Sequence, residues 1–400
     1  MNVSRGIAVI AGSAVLVAVG GVGEGLGGQQ PAQPPRQTQA DDYTRYELLA
    51  PGSAQFRILY EVTATTNGAQ YFFNAIRKGS VASDESVRDV ATGKPLEFGV
   101  VNGRVAREQG VRGADSTGEY IRIKLLRPVP SDGETRVLID KTYYDTISYQ
   151  SRGDTIVFNR PLGIKRNAVV LPAGYELISC NFPSQVLQEP DGRVKISFWN
   201  NTPSEAPLQL RARRATPTAA AQLPAEIRRR LDERAHQTRE IVYFLQQPET
   251  HAFDLFHDYT ESRVGVAEYR NVVRAGSTVS NPRAVLLDTG EPLKLDIERG
   301  DSVTVVFHFP AVKAGETTRL RMFETYTDTA RYKLVGDQLV WDRSFGRPFN
   351  AVVLPAGWVL TNSTIPSSVS EMPDGRIRLD FINPRPDEIA VLITASRRGK

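Results

Sequence analysis

Residues 167–174 read Asn-Ala-Val-Val-Leu-Pro-Ala-Gly, and residues 350–357 repeat them without a change. A repeat of this kind constrains architecture before any single motif is weighed, because each copy must fold as a unit of its own. It also governs the search for function. A residue present at both equivalent places is explained more simply by folding than by one active site.

The likeness runs far beyond those eight residues. Residues 46–56 match 243–253 at an offset of 197, which still holds for 74–80 against 271–277 and for 93–96 against 290–293. At Thr142-Tyr143 against Thr325-Tyr326 the offset has become 183. The first copy therefore carries extra residues within 100–118, a Gly- and Arg-rich stretch expected to be an extended surface loop.

Inside each copy the apolar period is two. Phe56, Ile58, Tyr60 and Val62 alternate with polar or outward residues, as do Ile121 and Ile123, Val194, Ile196 and Phe198, and their counterparts Val303, Val305 and Phe307 or Ile377, Leu379 and Phe381. Such alternation marks half-buried antiparallel strands. Asn67-Gly68, Asp132-Gly133, Asp191-Gly192 and Asp374-Gly375 supply turns between them. The expected class is all-β: two tandem antiparallel β-sandwich domains from an internal duplication, joined by a short helix. That helix is expected over residues 224–240, with Pro224 at its start and Ile227, Leu231 and Ala235 on one narrow stripe. It reads as a spacer packing lightly on one domain. The domain plan is a signal peptide or N-terminal anchor (1–28), a flexible Pro/Gln linker (29–42), the first sandwich (43–214), the linker with its helix (215–241), and the second sandwich (242–400).

The first 28 residues are a processing segment. One basic residue, Arg5, precedes an uncharged run of Ala, Val, Ile and Gly at 6–22, and a polar stretch follows. Cleaved, it exports the protein to the periplasm or the extracellular space; uncleaved, it tethers the chain with both domains outside, which is the one membrane association expected. The Gly23–Gly28 match to a G-x-G-x-x-G pattern has no strand before it and no helix after it, so it carries no nucleotide.

Composition excludes several classes. The net charge of +4 over 400 residues supplies no phosphate-binding stripe, so no nucleic acid partner is expected. The single cysteine, Cys180, aligns with Ser363 and forms no disulfide within the chain. Four histidines, with no H-E-x-x-H pattern, predict no metal site, and no cofactor is expected. No G-x-S-x-G elbow occurs, and no catalytic residue can be assigned. His257 aligns with Tyr60 and is read as a core histidine.

Six residues stand as candidate binding positions. Asp145 and Asp328 occupy the same place in the duplicated Thr142-Tyr143 and Thr325-Tyr326 motifs, where they either pair with Arg77 and Arg274 or a ligand, or cap a turn. Tyr71 and Phe73 flank Phe72 on a strand of the first copy, where flat rings suit sugar recognition or core packing. The second copy has Glu268-Tyr269-Arg270 there. Arg160 and Arg343 also recur and are expected to brace a neighbouring loop.

The opening alternating strands, the Gly93-Lys94-Pro95-Leu96 turn and the run Gly133 to Tyr143 resemble the N-terminal β-domain of gluzincin aminopeptidases. The resemblance covers about 100 residues of each copy and implies a β-sandwich without the family's zinc helix or catalytic domain, so none of its catalytic residues transfers. The chain is also similar to exported bacterial two-repeat proteins. The functional expectation is an exported, non-catalytic binding protein of the cell envelope or extracellular space, with a protein or polysaccharide partner. The alternative is a hydrolase acting on an envelope peptide or glycan polymer.

Overall fold

A computed structural model describes residues 34–216, 219–220 and 222–399. The apolar N-terminal segment, the Gly23–Gly28 stretch and residues 29–33 of the Pro/Gln linker lie outside them. Residues 35–400 form one compact unit.

The first copy is built from fourteen strands: β1 (Gln39–Leu48), β2 (Gln55–Ala64), β3 (Tyr71–Ala75), β4 (Val81–Asp89), β5 (Phe98–Asn102), β6 (Glu119–Lys124), β7 (Thr135–Tyr144), β8 (Tyr149–Arg152), β9 (Thr155–Leu162), β10 (Arg166–Val170), β11 (Tyr175–Cys180), β12 (Gln185–Gln188), β13 (Val194–Trp199) and β14 (Ala206–Arg214). The second copy follows with β15 (Glu240–Leu245), β16 (Ala252–Glu261), β17 (Glu268–Val272), β18 (Thr278–Leu286), β19 (Lys294–Arg299), β20 (Val303–His308), β21 (Thr318–Thr327), β22 (Tyr332–Val335), β23 (Gln338–Phe345), β24 (Phe349–Val353), β25 (Trp358–Ser363), β26 (Ser368–Glu371), β27 (Ile377–Ile382) and β28 (Ile389–Arg397). Each copy makes a seven-stranded, a four-stranded and a three-stranded sheet. The orders in the first are β12-β13-β10-β1-β2-β7-β4, β11-β14-β9-β8 and β3-β6-β5. Those in the second are β26-β27-β24-β15-β16-β21-β18, β25-β28-β23-β22 and β17-β20-β19. Strand for strand, the second set repeats the first. The fold is all-β in two halves, as the alternation required, and β1 begins at Gln39, inside the stretch read as linker.

The expected antiparallel rule has one exception per copy. β1 pairs with β10, and β15 with β24, in parallel. These strands contain the repeated Asn-Ala-Val-Val, and all five residues of each are buried. A strand buried on both faces loses the period-two signature and reads as a continuous apolar run. The identity of the two segments thus has a packing cause: each fully buried Val contributes about 1.5–3 kcal/mol, and no face tolerates a change of volume. The core between the sheets is aromatic. Phe56, Tyr46 and Phe158 meet in the first copy, and Phe253, Trp341 and Tyr243 in the second.

Two expectations are corrected. Helix α2 spans only Ala225–Arg230 rather than 224–240, and none of its residues is buried. The segment after it spends its polar groups on the two copies instead. Asp232 O accepts from Gln185, and Ala235 O and His236 O accept from Arg166. The Glu233 carboxylate takes Tyr43, Ser197 and Lys195 of the first copy. Buried Arg234 donates to Gly346 O and Asn383 O of the second. The linker is therefore a fastener, not a light spacer. The Val100–Gly118 stretch is no simple surface loop either. It completes β5 and forms helix α1 (Gly103–Glu108), and Ala106 and Ala114 pack on Phe73 and Tyr120 as a satellite core. Gly110 (φ +106) sits so close to the preceding chain that a Cβ there would lie 2.5 Å from Pro35 O.

The copies also touch directly. Glu134 of the first copy accepts from Arg319 and Arg321 of the second, which share Asp258. Arg136 pairs with Asp288 at 3.0 Å, and Thr317 N–H donates to Ala91 O. Asp258 is wholly buried and Arg319 nearly so.

Candidate functional site

The duplicated polar motif is resolved first. Asp145 is buried and accepts from the Ile147 and Ser148 amides, the Ser148 and Ser80 hydroxyls, and Arg160 Nη1 at 2.8 Å. Asp328 does the same with the Arg331 amide, Ser277 and Arg343 at 2.9 Å. Burial alone would raise the Asp145 carboxyl, but its bonds from Ser148 and Ser80 and the Arg160 charge hold it below the usual carboxylate range. Their ion-pair partners are thus Arg160 for Asp145, and Arg343 and Arg331 for Asp328, not Arg77 and Arg274. The two Arg-Asp pairs clamp the turns after β7 and β21.

Arg77 and Arg274 have other surroundings: each lines a cleft, and the two clefts occupy equivalent places in the two copies. The shared positions are Tyr46 with Tyr243, Arg77 with Arg274, Phe73 with Arg270, and Ile164 with Arg347. Each cleft opens where the three-stranded sheet stands against the inward face of the seven-stranded one. Phe73 belongs to its wall and Phe72 to the main core; Tyr71 lies under the Arg122 guanidinium, 5.2 Å from its ring centre. The three rings are packing elements of both faces rather than a platform.

The first cleft has a volume of about 440 Å³. Val111, Arg112, Gly113 and Ala114 of the copy-specific insertion form part of its wall. On the opposite side, the inward period of β7 runs Val137, Ile139, Lys141, Tyr143. Lys141 is 4% exposed. Its Nζ donates to Asn74 Oδ1 at 2.7 Å and lies 4.8 Å from the centre of the Tyr143 ring. Among the described residues no carboxylate forms a salt bridge with it. Burial, and after it the charge of Arg160, push the Lys141 ammonium down to about 7.

The second cleft is larger, about 790 Å³, and differs in chemistry. Six arginines line it: Arg234, Arg239, Arg263, Arg270, Arg274 and Arg347. Arg263, Arg270 and Arg274 pair with Glu261, Glu268 and Glu388. The other three have no carboxylate partner among the described residues. Arg234 is spent on carbonyls and Gln237, Arg239 lies 5.9 Å from the Tyr259 ring, and Arg347 donates to Asp258 O, His257 Nδ1 and Tyr269. Burial, then Arg239, lowers the Arg234 guanidinium from its ordinary value. Tyr243, Tyr259 and Tyr269 supply rings, and the Asn350 side-chain oxygen at the wall is buried without a hydrogen-bond partner. Where the first copy has Lys141, the second has Glu324, which accepts both Asn271 amide bonds at 2.9 and 2.8 Å and sits 3.6 Å from His257 Nε2. His257 is a core residue; since an arginine only donates, its Nδ1 accepts and the proton is on Nε2. Burial, then Arg347, lowers its pKa, so it is neutral.

Lys141, Arg234, Arg239 and Arg347 were not singled out by sequence reasoning. The signal for Lys141 was present: a charged side chain at an inward β7 position, with Glu324 as the charged equivalent in β21. An inward lysine costs stability. An unfolded lysine holds its proton up to about pH 10, whereas the folded Lys141 releases it near 7. Stability therefore falls as pH drops from about 10 to 7 and is flat below. Lys141→Met is expected to gain about 2–4 kcal/mol at pH 7 and little at pH 10.5. A gain equal at both values, measured by chemical denaturation, would reject this account.

Among the described residues no group of three or more His, Cys, Asp and Glu is placed to hold a metal ion, and no helix is long and apolar enough to cross a membrane. No protein-family model matches the chain, and neither does any curated protein. Solved structures similar to it include an M1 zinc metallopeptidase from Deinococcus radiodurans, 10% identical over 45% of this chain and 42% of that one, with a TM-score of 0.30. A putative protease from Parabacteroides distasonis is 11% identical over 90% and 93% of the two chains, with a TM-score of 0.24. The chain thus spans less than half the length of the metallopeptidase.

Proposed function

We propose that this is an exported, non-catalytic binding protein of the cell envelope or extracellular space, and that the cleft of the second copy holds an acidic polysaccharide. The observation that carries the reading is the set of three guanidiniums, Arg234, Arg239 and Arg347, facing a 790 Å³ cleft without a carboxylate partner among the described residues. Arg234 is buried and Arg347 half-buried, where an uncompensated charge is costly and an anionic ligand removes that cost, while the exposed Arg239 adds attraction at the rim. Tyrosine rings with guanidiniums suit the apolar face and carboxylate of a sugar acid, and Asn350 Oδ1 would accept from a sugar hydroxyl. Both carboxylates of this cleft, Glu268 and Glu388, are tied to arginines, which favours binding over acid–base hydrolysis. Export rests on the N-terminal apolar segment.

Calorimetric titration with an oligogalacturonate tests the reading, with a neutral oligogalactoside and polyglutamate as comparators. Binding of the acidic sugar alone, weakening as salt rises, is the expected result. Equal binding of the neutral sugar would sink the electrostatic basis. Preference for polyglutamate would move the partner to an acidic protein, and release of shorter sugars would replace binding by hydrolysis.

A further inference from the structure

The first cleft holds a side chain that the binding function does not use. Lys141 is a buried primary amine at the wall of the 440 Å³ cleft, its Nζ donating to Asn74 Oδ1; among the described residues no carboxylate forms a salt bridge with it, and Glu85 acts on it only through its more distant charge. A structural lysine keeps its ammonium at the surface by extending its stem, and one that lines a cavity on an inward strand face does not. The second copy shows what this position needs when it serves packing alone: Glu324 there is matched by both Asn271 bonds and by His257. Two further guanidiniums, Arg77 and Arg112, line the same cavity, and no carboxylate pairs with either among the described residues.

We propose that the first cleft is a covalent site for small oxo acids, with Lys141 as the nucleophile and Arg77 as the carboxylate anchor. The Lys141 nitrogen lone pair attacks the carbonyl carbon, and the π pair of the C=O bond moves to oxygen. The oxygen takes the proton released by nitrogen, giving a carbinolamine. That hydroxyl leaves as water with the second nitrogen proton, and a C=N bond remains between the ligand and Nζ. One amine and one carbonyl give one imine and one water, so no oxidant or reductant is needed. Burial brings the ammonium down to about 7, so a large share of the amine is free base near neutral pH and available for this step. The site is in the other copy from the arginine cleft and stands whether or not that cleft binds acid.

The test uses the whole chain with glyoxylate, followed by borohydride to fix any imine as a secondary amine, and peptide mass mapping. Lys141 is expected to carry the adduct at least about ten-fold above any other lysine, and the selectivity is expected to vanish in urea. Lys141→Met, which leaves the fold intact, should lose the labelled peptide. Arg77→Ala should lower labelling by glyoxylate about ten-fold and leave labelling by propanal unchanged. Uniform labelling of the folded chain overturns the nucleophile. Labelling by both aldehydes that ignores Arg77 overturns the assignment to oxo acids.

Discussion

Asp258→Ala is expected to destabilise the protein by about 3–5 kcal/mol. The Asp258 carboxylate is wholly buried and accepts from Arg319 at 3.1 Å and from Arg321 at 2.8 and 2.9 Å. Removing it leaves two guanidiniums to share Glu134, which reaches them from the other copy at 3.4 and 3.1 Å. Deleting one member of a buried set costs more than the set contributes, because the remaining charges stay desolvated. The damage is expected to be felt by both halves, since Glu134 and Arg319 belong to different copies. Chemical denaturation followed by the three tryptophans, Trp199 in the first copy and Trp341 and Trp358 in the second, reads the outcome. A loss under about 1 kcal/mol would show that the network is solvated. Two separate transitions in the unaltered protein would show that it does not couple the copies. Replacing Asp258 and Arg319 together by Leu and Met should recover much of the loss.

The second large effect concerns binding. Arg239→Gln with Arg347→Gln is expected to weaken oligogalacturonate roughly 30- to 150-fold, at about 1–1.5 kcal/mol for each charge-assisted contact. It should also flatten the dependence on salt. Arg234 is a poorer choice, because it also ties the linker to Asn383 and Gly346. A melting temperature within a few degrees of the parent excludes misfolding as the cause. Unchanged affinity in a folded double variant would remove the second cleft as the binding site.

The sequence showed the β class, the duplication and the turns, because each leaves a local mark: period two, exact recurrence, and Asn-Gly or Asp-Gly pairs. Other features had no local mark. The parallel pairing of β1 with β10 joins residues far apart in the chain, and a strand buried on both faces has no alternation to read. The helix over 224–240 failed since Glu233 and Arg234 have tertiary partners that outweigh a weak propensity. Of the six candidate residues, Arg77, Arg274 and Phe73 line the clefts, while Asp145 and Asp328 close turns. Tyr71 packs beneath Arg122. The insertion, which reads as a surface loop, instead supplies Val111 to Ala114 to the wall of the first cleft. Lys141 leaves no mark in the apolar alternation of β7, because a charged residue at an inward position reads as an interruption of the period.

The central place of β10 has a consequence for the order of events at birth. Tyr43 of β1 is paired with Arg166 of β10, and Ile241 of β15 with Asn350 of β24. β1 and β15 each find one neighbour, β2 or β16, at once, but neither finds its parallel partner until more than a hundred further residues have been made, and such distant pairings set a slow pace for folding. β10 in turn needs β13, which ends at Trp199. The first half therefore cannot close its main sheet while it is still emerging from the ribosome. Late closure of the main sheet is a delay in folding that the duplication imposes twice.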